Sequence, residues 1–256
     1  MLDSTQLRAG FEQTGIKNGD TIMVHTSYKS LGSVEGGAEA VIDALRGLVG
    51  PQGTVLFPNF NFQSWTEDHY FDVLETPSRM GTITELARLR RDAKRTPHPI
   101  YSFAVLGARA QEFAAADDVE AYGPKSAFAV FHTTNGTILS IGLDFNNTFS
   151  MHHYIEYNVG CDYRRIKEFS GIYVGYGRKP EMRVYSMFVR KDDTVKTYIN
   201  PGMDELLAAG VIREVRVGEA KVHFATAKDF YDNMSVIVRE HPEKLHFIED
   251  PKYRKA

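Results

Sequence analysis

Short apolar runs and helically spaced apolar residues alternate through the first half of the chain. Three apolar runs predict buried strands: Thr21–Thr26, residues 53–58 and residues 100–107. Between the first two runs, residues 38–49 carry apolar side chains at helical spacing, and Gly50 with Pro51 marks the end of that helix. Such a strand, helix and strand predict a parallel pair with a right-handed crossover.

Further helices are predicted from Ser4 to the stop at Gly15 and over residues 82–91, 108–116 and 126–132, and residues 137–143 predict another strand. Beyond residue 165 the pattern changes. Residues 168–175 and 182–191 predict antiparallel strands around a turn, followed by a helix at 203–209, strands near 211–217 and 221–225, and a terminal helix Ala227–Glu240.

These elements predict an α/β fold, layered α/β/α, with a mixed, partly parallel central sheet. We expect a single domain over residues 1–256, in which residues 1–165 form the α/β core and residues 166–256 form an α+β C-terminal addition. The aromatic stretch of residues 59–77 shows no clean period. It is typical of a lid or binding loop, although simple packing also accounts for its aromatic residues.

Composition and net charge argue against several classes of function. The chain has 256 residues, 43% of them hydrophobic, and a formal net charge of -3, which gives no electrostatic reason to expect nucleic-acid or anionic-membrane binding. One cysteine, Cys161, suits a reducing compartment. With a polar N-terminus and no long apolar stretch, we expect a soluble cytoplasmic protein without a membrane partner, and the chain length is compatible with a homodimer.

The candidate chemistry lies in residues 144–157, which follow a predicted strand and open a helix. Thr148 or Ser150 can cap that helix. His153 and Glu156 are three residues apart, and His152 and Glu156 are four apart, so either pair can share a helix face. A carboxylate bonded to one ring nitrogen orients the imidazole and leaves the other nitrogen free to accept a proton, which predicts a general base.

Other catalytic motifs are missing from the sequence. No phosphate-binding GK[ST] loop, GxGxxG, GxSxG or HExxH occurs. The two histidines and Glu156 have only part of a metal-ligand spacing and no obvious further ligand, so we expect no metal. We interpret Cys161 as a core residue rather than a thiolate nucleophile.

The exit of the first strand, Thr26 to Ser30, offers hydroxyls and backbone N–H groups to an anion or a polar amide chain. An ordinary hydroxyl-capped connection explains the same residues. Arg79, Arg95 and Lys125 can bind phosphate, although a single basic residue more often lies solvated on the surface.

The order of these pieces resembles the aminoglycoside 3-N-acetyltransferase family, also called the antibiotic N-acetyltransferase family. The resemblance covers about residues 20–160 and rests on many co-linear motifs. They are His-Thr-Ser at 25–27, Ser-Leu-Gly at 30–32, Gly-Gly-Ala-Glu at 36–39, Leu-Val-Gly-Pro-Gln-Gly-Thr at 48–54, Thr-Pro-Ser-Arg-Met-Gly at 76–81, Arg-Thr-Pro-His-Pro at 95–99, Gly107, Tyr-Gly-Pro-Lys-Ser at 122–126 and His-Tyr-Ile-Glu at 153–156.

This resemblance implies transfer of an acyl group from acyl-coenzyme A, either acetyl-CoA or a longer acyl-CoA, to an amine of an amino sugar without a covalent enzyme intermediate. It implies that His153 is the base and Glu156 its partner. The positions similar to coenzyme-A-binding ones are His25, Thr26, Ser27, Ser30, Arg79, Ser102 and Ser126. By proximity to His153, the candidate acceptor-binding residues are Asn146, Tyr154 and Arg164.

The sequence departs from the antibiotic-resistance members in its short segment between Phe57 and Thr76, which has few acidic residues for a polycationic substrate. It more closely resembles members of sugar-nucleotide pathways, which implies a nucleotide-linked aminodeoxysugar as acceptor. Two alternatives stay open: an aminoglycoside 3-N-acetyltransferase of antibiotic resistance, and a non-catalytic coenzyme-A or nucleotide-sugar binding protein.

Overall fold

The computed structural model describes residues 1–249 of the chain. The helices are α1 Ser4–Glu12, α2 Gly37–Val49, α3 Phe62–Thr66, α4 Thr82–Leu89, α5 Ala110–Ala114, α6 Ala127–Thr133, α7 Met151–Val159, α8 Asn200–Ala208 and α9 Ala227–Glu240. The strands are β1 Thr21–Thr26, β2 Thr54–Pro58, β3 Tyr70–Asp72, β4 Lys94–Arg95, β5 Phe103–Gly107, β6 Thr137–Ile141, β7 Arg164–Val174, β8 Pro180–Arg190, β9 Val195–Thr197, β10 Arg213–Val217, β11 Ala220–Thr226 and β12 His246–Ile248.

Seven strands form the central sheet in the order β10-β11-β6-β1-β2-β5-β4. The middle strands β6, β1 and β2 run parallel, whereas β5 and β11 pair antiparallel with β2 and β6. The predicted mixed sheet is therefore confirmed. Because β1 and β6 are parallel neighbours, the residues that follow them meet at the same edge of the sheet.

Alternate residues of the strands face two separate cores. On β1, Ile22 and Val24 pack in one apolar cluster with α1, α2 and α4, whereas Met23 points into the other cluster with α6, α7 and α9. This alternation follows from the two-residue period of a strand. Helices on both faces give the predicted α/β/α layering.

The strands after residue 165 join the rest of the chain in two ways. β7 and β8 form a long antiparallel hairpin, as predicted from the sequence. This hairpin pairs with β3 in a separate three-stranded sheet. The second hairpin, β10 and β11, adds to the central sheet beside β6. The C-terminal part therefore completes the sheet of the core.

The expectation of an irregular stretch at residues 59–77 is wrong in part, since α3 and β3 lie within it. Trp65 is fully buried and donates its indole N–H to the carbonyl of Phe169 at 3.1 Å. Phe71 is also fully buried and stacks on Tyr173. These elements are too short to show a period, and contacts with β7 hold them in place. Within residues 1–249, no helix combines the length and apolar character that crossing a bilayer requires.

Candidate active site

Helix α7 begins at the sheet edge, after β6 and a short polar turn. Ser150 occupies the N-cap position, but its side chain makes no capping hydrogen bond, so the predicted hydroxyl cap is wrong. The Ser150 hydroxyl instead lies 2.9 Å from Nε2 of His25, at the end of β1. This contact ties the loop after β1 to the start of α7.

The structure selects one of the two possible histidine and glutamate pairs. Nδ1 of His153 donates to Oε2 of Glu156 at 2.7 Å. Nδ1 of His152 instead donates to the carbonyl of Phe149 at 2.9 Å, and its side chain is buried. The His153 side chain is 23% exposed and that of Glu156 is 0% exposed. His153 therefore has its Nδ1 proton fixed by a buried carboxylate and its Nε2 free to accept a proton.

Two further groups hold the Glu156 carboxylate. The hydroxyl of Tyr163 donates to Oε1 at 2.7 Å, and Nε of Arg164 lies 2.8 Å from Oε2 as an ion-pair partner. Burial alone raises the pKa of the Glu156 carboxyl, but the charges of His153 and Arg164 outweigh it and hold that pKa well below its ordinary value. The carboxylate is therefore ionised at neutral pH.

The same surroundings act on the base. Burial and the charge of Arg164 lower the pKa of His153, against the opposing effect of Glu156. The imidazole is neutral at pH ~7, since its ordinary pKa is already about 6.5. Neutral His153 is the form that can take a proton.

His153 lies on the wall of a cavity of about 490 Å³. Aromatic and sulfur side chains form its apolar part: Phe60, Phe62, Met80, Tyr101, Tyr122, Met187 and Phe188. The polar and charged groups are His25, Asn146, Asn147, Thr148, Ser150, His152, His153, Arg164, Arg190 and Thr197. An apolar cleft with a few convergent polar groups and a base on its wall has the character of an enzyme active site.

A sequence profile described as aminoglycoside 3-N-acetyltransferase matches residues 23–238. The chain belongs to the aminoglycoside 3-N-acetyltransferase family. It is an N-acyltransferase, of the kind that moves an acyl group from acyl-CoA to an amine.

Named relatives match over most of the chain. Identity is 29% over 259 residues with aminoglycoside N(3)-acetyltransferase VII of Streptomyces paromomycinus, covering 89% of this chain and 88% of that protein. Identity is 28% over 246 residues with aminoglycoside N(3)-acetyltransferase VIII of Streptomyces fradiae, covering 85% of each. The family resemblance in the sequence motifs is thereby confirmed.

Solved structures share the fold. AAC-IIIb, solved as a binary complex with CoASH, superposes with a TM-score of 0.83 at 24% identity, covering 98% of both chains. The YokD protein from Bacillus subtilis superposes with a TM-score of 0.78 at 22% identity, covering 93% of this chain and 99% of that one. The layered α/β fold is thus that of known aminoglycoside acetyltransferases.

In this N-acyltransferase, four of the predicted site residues line the cavity: His25, Asn146, His153 and Arg164. Burial lowers the pKa of His25 to about 4, so its ring is neutral. The guanidinium of Arg164, predicted to contact the acceptor, bonds Glu156, Phe188 and Thr197. The arginine therefore supports the base from behind.

The other predicted coenzyme-A residues after β1 lie just beyond His25. The Ser30 hydroxyl donates to the carbonyl of Ser27 at 2.6 Å. Gly142, at the end of β6, has φ +62, and a side chain there would collide with Ser30. The missing Cβ allows the loop of Thr26 to Ser30 to pack against β6, next to α7.

The remaining predicted residues lie outside the cavity lining. Ser102 is fully buried, accepts from Nε of Arg95 at 3.0 Å and donates to the carbonyl of Asn59. Ser126 caps α6 through the backbone N–H of Ala129.

Arg79 is exposed. Tyr154 is buried, and its ring packs against those of His132 and Tyr231. Successive residues of a helix point in different directions, which places Tyr154 off the face that carries His153.

Sequence reasoning missed several residues of the site. Tyr163 supports Glu156 from the turn after α7, where no helical spacing relates the two residues. Phe188, Arg190 and Thr197 reach the cavity from the C-terminal part. Arg190 could have been found from the predicted hairpin of β7 and β8, because the register of that hairpin places Arg190 opposite Arg164.

His152, His153 and Glu156 bring potential metal-ligand atoms within 4.8 Å of one another. Each Nδ1 atom donates a hydrogen bond, and the Glu156 oxygens are bonded by His153, Tyr163 and Arg164. A cation here would have to compete with the guanidinium of Arg164. The donor set suits a buried ion-pair network better than a metal.

Cys161 is half-buried against the core. Burial raises the pKa of its thiol to about 11. A thiol with that pKa forms little thiolate at neutral pH, which does not favour a nucleophilic role for Cys161. This agrees with its interpretation as a packing residue.

Proposed function

We propose that this N-acyltransferase moves an acetyl group directly from acetyl-CoA to the amine of an amino sugar, with His153 as general base. The observation that carries this proposal is the 2.7 Å bond from His153 to the buried Glu156 on the cavity wall. An alkylammonium cannot attack a thioester, so a proton must leave the nitrogen before or during attack. The free Nε2 of His153 accepts that proton.

The transfer balances without a covalent enzyme intermediate. The amine nitrogen forms a bond to the thioester carbon while its proton passes to His153. Collapse of the tetrahedral intermediate breaks the carbon–sulfur bond, and the leaving thiolate takes the proton back from the imidazolium of His153, which restores the neutral base. Tyr163 and Arg164 keep Glu156 ionised and in place, so that the imidazolium formed during the reaction is stabilised.

We place the donor at the loop of Thr26, Ser27 and Ser30, next to His25 in the cavity. The superposition with AAC-IIIb in complex with CoASH supports a donor site on this fold. Ser102, Ser126 and Arg79 stay predicted donor residues that lie outside the cavity lining. Acetyl-CoA is our first candidate donor, and comparison with propionyl- and butyryl-CoA tests whether a longer acyl group is accepted.

Our preferred acceptor is an amino sugar linked to a nucleotide. Among residues 1–249, the side chains that line the cavity include no carboxylate, whereas Arg164 and Arg190 are both present. A polycationic aminoglycoside brings several ammonium groups, which need negative partners in the site. An acceptor with one amine and a negative charge suits this lining better.

An aminoglycoside acceptor is the second candidate. It is favoured by the names of the relatives from Streptomyces paromomycinus and Streptomyces fradiae, both of which are aminoglycoside N(3)-acetyltransferases. Their identity of 29% and 28% to this chain leaves room for a different acceptor.

The two candidate acceptors are distinguished by measuring thiol release from acetyl-CoA in the presence of kanamycin, gentamicin or a nucleotide-linked aminodeoxysugar. Saturable release with the nucleotide-linked sugar is the expected result. Saturable release with an antibiotic alone reverses the preference. Tight calorimetric binding of coenzyme A without thiol release for any amine identifies a non-catalytic binding protein, which the intact His153 and Glu156 pair argues against.

We further propose that residues 1–256, of which 250–256 lie outside the described residues, form one acyltransferase domain, because the cavity draws on residues from both predicted parts, such as His153 and Arg190. Cytoplasmic location, a possible homodimer and the absence of a nucleic-acid partner stay predictions from composition and length.

A further inference from the structure

We infer that Arg190 binds an anionic group of the acceptor and thereby selects amines that carry a phosphate or carboxylate. This inference rests on the proposed acyl transfer and names the class of acceptor for the same cavity. Arg190 is the last residue of β8 and lines the cavity that contains His153.

The register of the hairpin places two positive charges side by side. Arg190 lies directly opposite Arg164 in the β7 and β8 pair. Side chains opposite each other in an antiparallel pair have Cβ atoms about 4.5–5.5 Å apart, and like charges there are unfavourable. Negative charge supplied from elsewhere therefore stabilises the pair.

A carboxylate partner supplies that negative charge to Arg164 but not to Arg190. Nε of Arg164 lies 2.8 Å from the carboxylate of Glu156. Nη1 of Arg190 donates at 3.0 Å to the backbone carbonyl of Val195, which is a neutral acceptor. None of the ion pairs among residues 1–249 includes Arg190. Its head group is therefore oriented by a backbone carbonyl and stays exposed to solvent.

The rest of the cavity wall is neutral or positive. Neutral groups near the acidic turn before α7 include Asn146 and Asn147. Asp144, in that turn, accepts from the Asn146 backbone N–H at 2.9 Å and from the Asn200 side chain at 3.2 Å, and it lies outside the lining. A planar guanidinium binds phosphate or carboxylate through two parallel hydrogen bonds. Arg190 therefore offers an anion site in the cavity that contains the base.

Coenzyme A also carries phosphates, so the experiment must separate donor from acceptor. Thiol release from acetyl-CoA is measured with glucosamine, glucosamine 6-phosphate, UDP-glucosamine and kanamycin. The first three share an amine and differ in negative charge. The test variants are Arg190→Gln, which removes the charge, and Arg190→Lys, which keeps it.

Arg165→Gln is the matched control. Arg165 is exposed on the same strand pair, opposite Val189, so its side chain lies on the other face of the hairpin from Arg190. Circular dichroism and thermal melting show whether each variant is folded, and the exposure of Arg190 predicts that all three are.

The wild-type kcat/KM is expected to be higher for the phosphorylated amines than for glucosamine. Arg190→Gln lowers the ratio of kcat/KM for the phosphorylated amines to kcat/KM for glucosamine by about tenfold or more, since hydrogen bonds between charged groups are the strong ones. Arg190→Lys restores part of the ratio, while Arg165→Gln leaves it unchanged. The KM for acetyl-CoA stays at its wild-type value in all three variants.

An unchanged ratio in Arg190→Gln overturns the inference, and so does a raised KM for acetyl-CoA, which assigns the arginine to the donor. Turnover of kanamycin alone overturns it but leaves acyl transfer standing. If no amine releases thiol, the proposed function fails and takes this inference with it.

Discussion

His153 and Arg164 share one oxygen of Glu156: Oε2 lies 2.7 Å from Nδ1 of His153 and 2.8 Å from Nε of Arg164. The two groups act on the base in opposite senses. Glu156 raises the pKa of His153, and the charge of Arg164 lowers it. The base is thus oriented by a carboxylate whose effect on basicity is partly offset by an arginine.

His153→Ala is expected to lower kcat by about 10²–10⁴-fold, the usual contribution of a positioned base. Coenzyme A binding, measured by calorimetry, should stay near wild type, because the proposed donor loop follows β1 whereas His153 lies on α7. His241→Ala, at a histidine whose side chain is 45% exposed, is the control and should keep full turnover. Near-wild-type turnover in His153→Ala refutes the assignment of the base.

Glu156→Gln and Arg164→Gln should move the acid limb of the kcat/KM profile in opposite directions. The base must be neutral, so activity falls as pH drops through the pKa of His153, which burial and Arg164 hold below its ordinary value of about 6.5. Removing Glu156 lowers that pKa and moves the limb to lower pH. Removing Arg164 raises it and moves the limb to higher pH.

Titration of the acceptor amine affects every variant equally, so the comparison isolates His153. Loss of one partner of a buried ion pair costs about 3–5 kcal/mol of unfolding free energy, and both profiles are therefore recorded at a temperature where circular dichroism shows folded protein. Shifts of the same sign in the two variants contradict the shared-oxygen arrangement.

Tyr163→Phe removes the 2.7 Å hydrogen bond to Oε1 of Glu156 and leaves a buried carboxylate oxygen without that donor. The expected loss is about 1–3 kcal/mol of unfolding free energy, measured by urea denaturation, with a smaller kcat. Tyr157→Phe on α7 is the control, because the half-buried Tyr157 donates its hydroxyl to Glu120 rather than to Glu156. Equal losses in both variants argue against a special role for Tyr163.

Stability should fall as pH drops below about 6.5, since buried neutral histidines cannot take up protons in the folded state. Burial lowers the pKa of His25 to about 4 and those of His98 and His152 to about 3. Between those values and about 6.5 the unfolded chain binds more protons, and each group removes up to about 1.4 kcal/mol per pH unit.

His98→Asn tests this dependence. The asparagine carbonyl can replace Nδ1 as acceptor for the Tyr101 N–H, which lies 3.2 Å from it. Urea denaturation between pH ~4 and ~7 should show a shallower pH slope for this variant than for wild type. His241→Asn is the control, and an unchanged slope in His98→Asn contradicts the prediction.

The local pattern of apolar and polar residues was sufficient to predict an element wherever that element is long or is joined to its partner by a short turn. The helix Ala227–Glu240 was predicted with both of its ends, and in the structure Thr226 caps it while apolar residues recur along one face. The hairpin of β7 and β8 followed from alternation around its turn. The segments α3 and β3 were missed, since five and three residues are too few to show a period.

The sequence by itself determined the layered α/β fold, the family and the position of a histidine and glutamate pair at a strand exit. Spacing alone left His152 and His153 equal, because residues three and four before Glu156 share its helix face. The family resemblance implied His153, and the tertiary structure shows how the two differ: Nδ1 of His152 is bonded to the Phe149 carbonyl, while Nδ1 of His153 is bonded to Glu156. Burial and long-range contacts such as those of Tyr163, Arg164 and Arg190 depend on how distant segments pack, which no local period encodes.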